Sequence, residues 1–164
     1  MAKTSFNEFL LAVAPEHRVF VEKLNDKLLK QGCELVIKEV KSGYTATYQL
    51  EKKTVMNWVF RKTGIWARIY GDNAGRYEEV IAALPADMQK KMTASRDCKR
   101  LIDPDACSGT CVKGFVYSLN GETQKKCRND GMLFLLTEET AEYIAGLICA
   151  EVAVRKLALQ QLNR

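Results

Sequence analysis

The stretch "YTATYQLE", residues 44–51, decides the fold class. Tyr44, Ala46, Tyr48 and Leu50 alternate with Thr45, Thr47, Gln49 and Glu51. A period of two sends the first set to one side of a strand and the second to the other, the pattern of a strand buried on a single face. Upstream, Cys33–Lys41 is also strand-like, and Ser42-Gly43 supplies a turn. Downstream come Thr54–Arg61 and Ile65–Tyr70, joined through Thr63-Gly64. Connections this short join neighbours that run in opposite directions, so an antiparallel meander of four strands is expected.

Helical patterns flank the meander. Ser5 and Glu8 have the spacing of a capping box, which predicts a helix opening at Phe6. Pro15 suits the first turn of a second helix running to about Gln31, with Phe20, Leu24 and Leu28 as its apolar stripe and Gly32 as its stop. "GDNAG" (71–75) breaks the sheet pattern. Arg76–Leu84 then reads as a helix with Tyr77, Val80, Ile81 and Leu84 on one side, and Pro85 restarts a helical piece to about Thr93. Asn120-Gly121 sits between Phe115–Leu119 and Glu122–Cys127 and is the strongest short hairpin signal in the chain. "MLFLL" (132–136) reads as a buried strand. Thr137 is expected to cap a long final helix that turns Ile144, Leu147, Ile148 and Val152 inward. The expected class is α+β: an antiparallel sheet, made of the four-stranded meander plus a C-terminal hairpin and strand, packed with N-terminal and long C-terminal helices.

With 164 residues, 47% of them hydrophobic, the chain can bury a core without disulfides. No linker or repeat divides it, so residues 1–164 read as a single domain with a cysteine-rich segment at about 96–128. Near the start the apolar segment Phe9–Ala14 is too short for a signal peptide, and no run of about 18 apolar residues exists to span a membrane. A cytoplasmic protein is the expectation. The net charge of +5 is spread along the chain apart from "CKR" (98–100) and "KKCR" (125–128), which reads as a solvated surface. Neither a membrane nor a sequence-specific nucleic acid is expected as a partner; a small ligand or a protein stays open.

Several catalytic motifs are absent. The chain has no GxxxxGK[ST] loop, no GxGxxG fingerprint and no HExxH pair. His17, its one histidine, falls at a helix start and reads as a polar surface residue, which disfavours histidine-dependent catalysis. Among the cysteines, Cys33 and Cys149 lie in apolar surroundings and read as small buried hydrophobes. Cys98, Cys107, Cys111 and Cys127 remain, and four thiolates from a loop and a hairpin suit a tetrahedral structural zinc ion. Lys99, Arg100, Lys113, Lys126 and Arg128 would offset the negative charge of such a centre. The spacing C-x₈-C-x₃-C-x₁₅-C lacks the more diagnostic C-x₂-C pair. Unligated thiols therefore stay open, as do disulfides or a redox role, for which Cys98 or Cys127 beside cations would supply the nucleophile.

A second constellation lies on the meander. Trp66, Arg68 and Tyr70 share one face of their strand. On its neighbour Met56, Trp58 and Phe60 take one face, and Asn57, Val59 and Arg61 the other. Trp58, Arg61, Trp66, Arg68 and Tyr70 are thus candidates to bind an anionic or planar ligand. In the plainer reading one set is core and Arg68 reaches out from its rim.

At "NWVFRKTGIWARIYGD" (57–72), "CKRLIDPDAC" (98–107), "CVKGFVYSLNGETQKKC" (111–127) and "MLFLL" the chain resembles an uncharacterised family of small, cysteine-containing cytoplasmic proteins from Gram-positive bacteria. That resemblance implies no activity. The order of elements is also distantly similar to that of YdhG-like proteins of proposed iron-chaperone type, a likeness of architecture alone. The sequence thus leads to the expectation of a non-enzymatic cytoplasmic binding or regulatory module with a structural zinc-binding cysteine cluster. A small thiol-dependent redox protein or enzyme, and a ligand-binding module built on the aromatic and arginine sheet face, are the alternatives.

Overall fold

The period-two patterning is realised as a twisted meander. In a computed structural model that describes residues 5–106 and 111–163, β1 (Glu34–Val40), β2 (Gly43–Leu50), β3 (Lys53–Arg61) and β4 (Gly64–Ile69) pair antiparallel in chain order. β5 (Phe115–Leu119) and β6 (Glu122–Lys126) form a separate hairpin. β7 (Leu133–Leu135) then returns to pair with β4, giving the sheet order β1-β2-β3-β4-β7. The helices are α1 (Phe6–Ala12), α2 (Arg18–Lys30), α3 (Glu78–Ala82), α4 (Ala86–Ala94), α5 (Lys99–Ile102) and α6 (Ala141–Leu162). The architecture is α+β.

Register explains the core. Ile37, Ala46, Trp58, Ala67 and Phe134 stand in one cross-strand row, and the small alanines on either side leave room for the fully buried indole. Leu35, Tyr48, Met56 and Ile69 make the next row. These rows share a hydrophobic cluster with Phe9 of α1, Val21, Leu24 and Leu28 of α2, and Ile144, Leu147, Ile148 and Val152 of α6. Phe9 meets the rings of Tyr44 and Phe60 edge-on at 6.4 and 5.8 Å, which seats α1 against the sheet. The hairpin joins the same cluster through Phe115, Tyr117 and Leu119.

The helix boundaries differ from the sequence expectation for local reasons. The Ser5/Glu8 capping box forms and starts α1 at Phe6. Pro15 begins a 3₁₀ turn through His17, and the α-helix proper starts only at Arg18. Val21 is buried in that helix, while Phe20 is half-buried. The expected helix over 76–84 splits into a 3₁₀ turn, Ala74–Arg76, and the short α3. Thr137 does not cap α6. Instead the Thr137 and Thr140 backbone N–H groups each donate to the other's hydroxyl, at 2.9 and 3.1 Å, and the helix starts after that closed turn. Cys127 lies just past the end of β6, and Cys149 is half-buried, not fully buried.

Two charged groups are buried as structural clamps. Glu151 on α6 has no exposed surface and accepts from Asn73 N (3.0 Å), Asn73 Nδ2 (2.7 Å), Tyr77 Oη (2.7 Å) and Arg155 Nε (2.8 Å). Arg155 continues to Tyr70 O and Asp72, and Asp72 also pairs with Arg128. This network ties the final helix to the chain leaving β4. Burial and the adjacent Glu151 carboxylate hold the Tyr77 phenol far above its ordinary pKa, so it stays a donor. Lys126 is the second clamp: its nearly buried ammonium donates to Thr93 O, Ser95 O and Asp97 Oδ1 at 2.7–3.0 Å.

Candidate ligand-binding face

Among the described residues the cysteines do not assemble the expected zinc centre. Among the described residues no group of three or more His, Cys, Asp or Glu side chains is placed to hold a metal ion, and Cys107 lies outside those residues. Cys33, Cys98, Cys127 and Cys149 are free thiols. Cys98, Cys111 and Cys127 do border a common cavity of about 100 Å³, together with Arg96, Lys99 and Arg128. Two of the three sulfurs are nevertheless held by local contacts. Cys98 is buried and its Sγ accepts the Gly114 N–H at 3.3 Å, while Cys111 Sγ faces Val112 O at 3.5 Å. Antiparallel ladder bonds, Cys98 N to Lys125 O and Cys127 N to Arg96 O, fix the backbone at both positions. Lys126, expected to balance a zinc–thiolate charge, instead spends its charge on the clamp described above. Cys33 is the small buried residue that its surroundings suggest. Burial pushes its thiol pKa up, which makes it a poor nucleophile.

The aromatic and arginine constellation is divided by the sheet. Trp58 points into the core and is fully buried, so it is structural, not ligand-binding. Tyr70 is also withdrawn. It is buried, its hydroxyl accepts from Asn57 Nδ2 at 3.3 Å, and the Arg128 guanidinium covers its ring at 4.3 Å. Arg61, Trp66 and Arg68 remain. Trp66 pairs with Val59 and Leu135, and Arg68 pairs with Asn57 and Leu133, so both side chains belong to the sheet face opposite the core row.

That outer face is polar and half-open. Thr45, Thr47, Gln49, Val59, Trp66 and Arg68 are each half-buried. The Trp66 indole donates to Thr63 Oγ1 at 2.8 Å, which fixes the ring. Two cations lie over it: Lys91 Nζ at 4.2 Å from the ring centroid and the Arg61 guanidinium carbon at 5.6 Å. Lys91 comes from α4, a helix whose sequence gives no sign that it reaches the sheet. Met88 and Met92 are the buried residues that anchor α4, and Lys91 precedes the second of them. Partial burial and then the Arg61 charge hold the Lys91 ammonium below its ordinary pKa. Arg68 is two residues along the strand from Trp66, its Nε donating to Asn129 O at 3.0 Å.

No carboxylate among the described residues forms an ion pair with this group. Every ion pair formed among the described residues uses Arg96, Lys126, Arg128 or Arg155; none uses Arg61, Arg68 or Lys91. Asn57 Oδ1, on the same face, is buried with no hydrogen-bond donor among the described residues. Arg61 and Lys91 over a rigid indole, with Arg68 two residues along the strand, can accept an anion without first breaking an ion pair. Compared with protein families, curated proteins and solved structures, the chain matches none.

Proposed function

We propose that the chain is a binding module for a small anionic ligand, held on the outer sheet face by Arg61, Arg68 and Lys91 around Trp66. The observation that carries this reading is the group of three cations without a carboxylate partner among the described residues. An anion between Arg61 and Lys91 relieves their mutual repulsion and gains charge-assisted hydrogen bonds. The flat indole beside them favours a ligand with a planar apolar part. Free thiols at Cys33, Cys98, Cys127 and Cys149 support a reducing compartment such as the cytoplasm.

Calorimetric titration with adenosine 5′-monophosphate, and with inorganic phosphate as the comparison, tests the reading. The native chain is expected to bind the nucleotide more tightly than phosphate alone. Each of Arg68→Ala and Lys91→Ala should weaken nucleotide binding about tenfold, the effect of losing one charge-assisted hydrogen bond. Neither change should lower the melting temperature much, since neither side chain holds an ion pair. Heat from neither probe at millimolar concentration, or unchanged affinity in both variants, would contradict the proposal.

A further inference from the structure

A cavity of about 510 Å³ opens beside the β3–β4 turn, a size in the range of small-molecule sites. Its walls are of two kinds. Ile65 and Leu135 contribute apolar surface from β4 and β7, while Glu16, His17, Arg61 and Glu138 contribute polar groups from three separate segments. Glu16 and His17 come from the 3₁₀ turn before α2, Arg61 from the end of β3, and Glu138 from the connection between β7 and α6. Two carboxylates, a guanidinium and an imidazole therefore share one cavity. Yet none of the four side chains forms an ion pair with another or with any described residue. Opposite charges that line a cavity unpaired are complementary to a molecule carrying both signs.

We infer that this cavity is a second binding site, for a free α-amino acid with an apolar side chain. The Arg61 fork takes the ligand carboxylate, with the His17 imidazole N–H as a further donor. Glu16 and Glu138 take the ammonium group. The side chain lies on Leu135, where burial of apolar surface adds affinity. Only Arg61 is shared with the anion-binding face around Trp66, so the two sites can be told apart by variants that leave Arg61 intact.

The test titrates the full-length chain with L-leucine, L-phenylalanine, N-acetyl-leucine and leucinamide. Both free amino acids are expected to bind, and each blocked derivative, lacking one of the two charges, to bind at least tenfold more weakly. Glu138→Gln and His17→Ala should weaken leucine binding while leaving the nucleotide titration unchanged. Lys91→Ala should do the reverse. Equal binding of free and blocked leucine would reduce the site to an apolar cleft and overturn the inference. So would the absence of binding by any of the four compounds, or leucine binding that ignores both variants.

Discussion

Replacing Trp58 by alanine is expected to destabilise the protein by about 3–5 kcal/mol, the range for truncating a large aromatic in a packed core. The indole is fully buried in the middle of the row Ile37–Ala46–Trp58–Ala67–Phe134. Its neighbours on both sides are alanines, too short to fill the space it leaves. Trp58→Phe should cost clearly less, because an aromatic ring is kept and the Nε1 proton, which has no acceptor among the described residues, is removed. Trp66→Ala is the control: that indole is half-buried on the opposite face, so its loss should be smaller. Urea denaturation of the three variants, compared at equal m-values, measures the differences. Losses of equal size at the two tryptophans would contradict the assignment of one to the core and the other to the outer face.

Glu151→Ala is expected to cost about 3–5 kcal/mol, as removing one member of a buried ionic network does. Four donors converge on this carboxylate, and all of them lose their acceptor at once. Three of them, on Asn73 and Tyr77, belong to the segment after β4, so hydrogen exchange should quicken in residues 72–82 before it does in the meander. A double-mutant cycle gives the sharper reading. Arg155→Ala should be much less harmful when Glu151→Ala is already present than in the native chain, because the guanidinium has by then lost its main partner. Strictly additive losses would mean that Glu151 and Arg155 act independently, against the geometry.

The meander was readable because alternation in residues 44–51 and short turns leave few other solutions. The hairpin was readable from Asn120-Gly121, whose φ values of +53° and +80° are those that Asn and Gly adopt at least cost. The equivalent two-residue turn between β2 and β3 carried no such signal: Glu51 and Lys52 take φ of +49° and +65° despite their side chains, because the paired strands on either side impose it. The place of β7 was hidden for another reason. "MLFLL" reads as a buried strand, but nothing local says that it crosses back to the exposed edge of β4. Within the candidate site, alternation put Trp58 and Trp66 on definite faces of their own strands; only the register between β3 and β4 shows that these faces are opposite. Lys91 was missed because a lysine on an amphipathic helix ordinarily points to solvent. Glu151 sits among apolar residues of α6, and its partners Asn73 and Tyr77 lie more than seventy positions earlier in the chain. The four-cysteine zinc reading failed because spacing alone does not fix where sulfurs point; Cys98 turns toward Gly114.

Collisional quenching of tryptophan fluorescence tests the anion-binding face most directly. Trp58 is fully buried, so quenching of the native chain reports Trp66 alone. The positive field of Arg61, Arg68 and Lys91 should concentrate iodide and exclude caesium at that ring. The predicted result is quenching several-fold stronger by iodide than by caesium at equal ionic strength, reduced by added adenosine 5′-monophosphate and largely lost in the Arg68→Ala, Lys91→Ala double variant. Equal quenching by the two ions, unchanged by the nucleotide or by the variant, would contradict an anion site around Trp66.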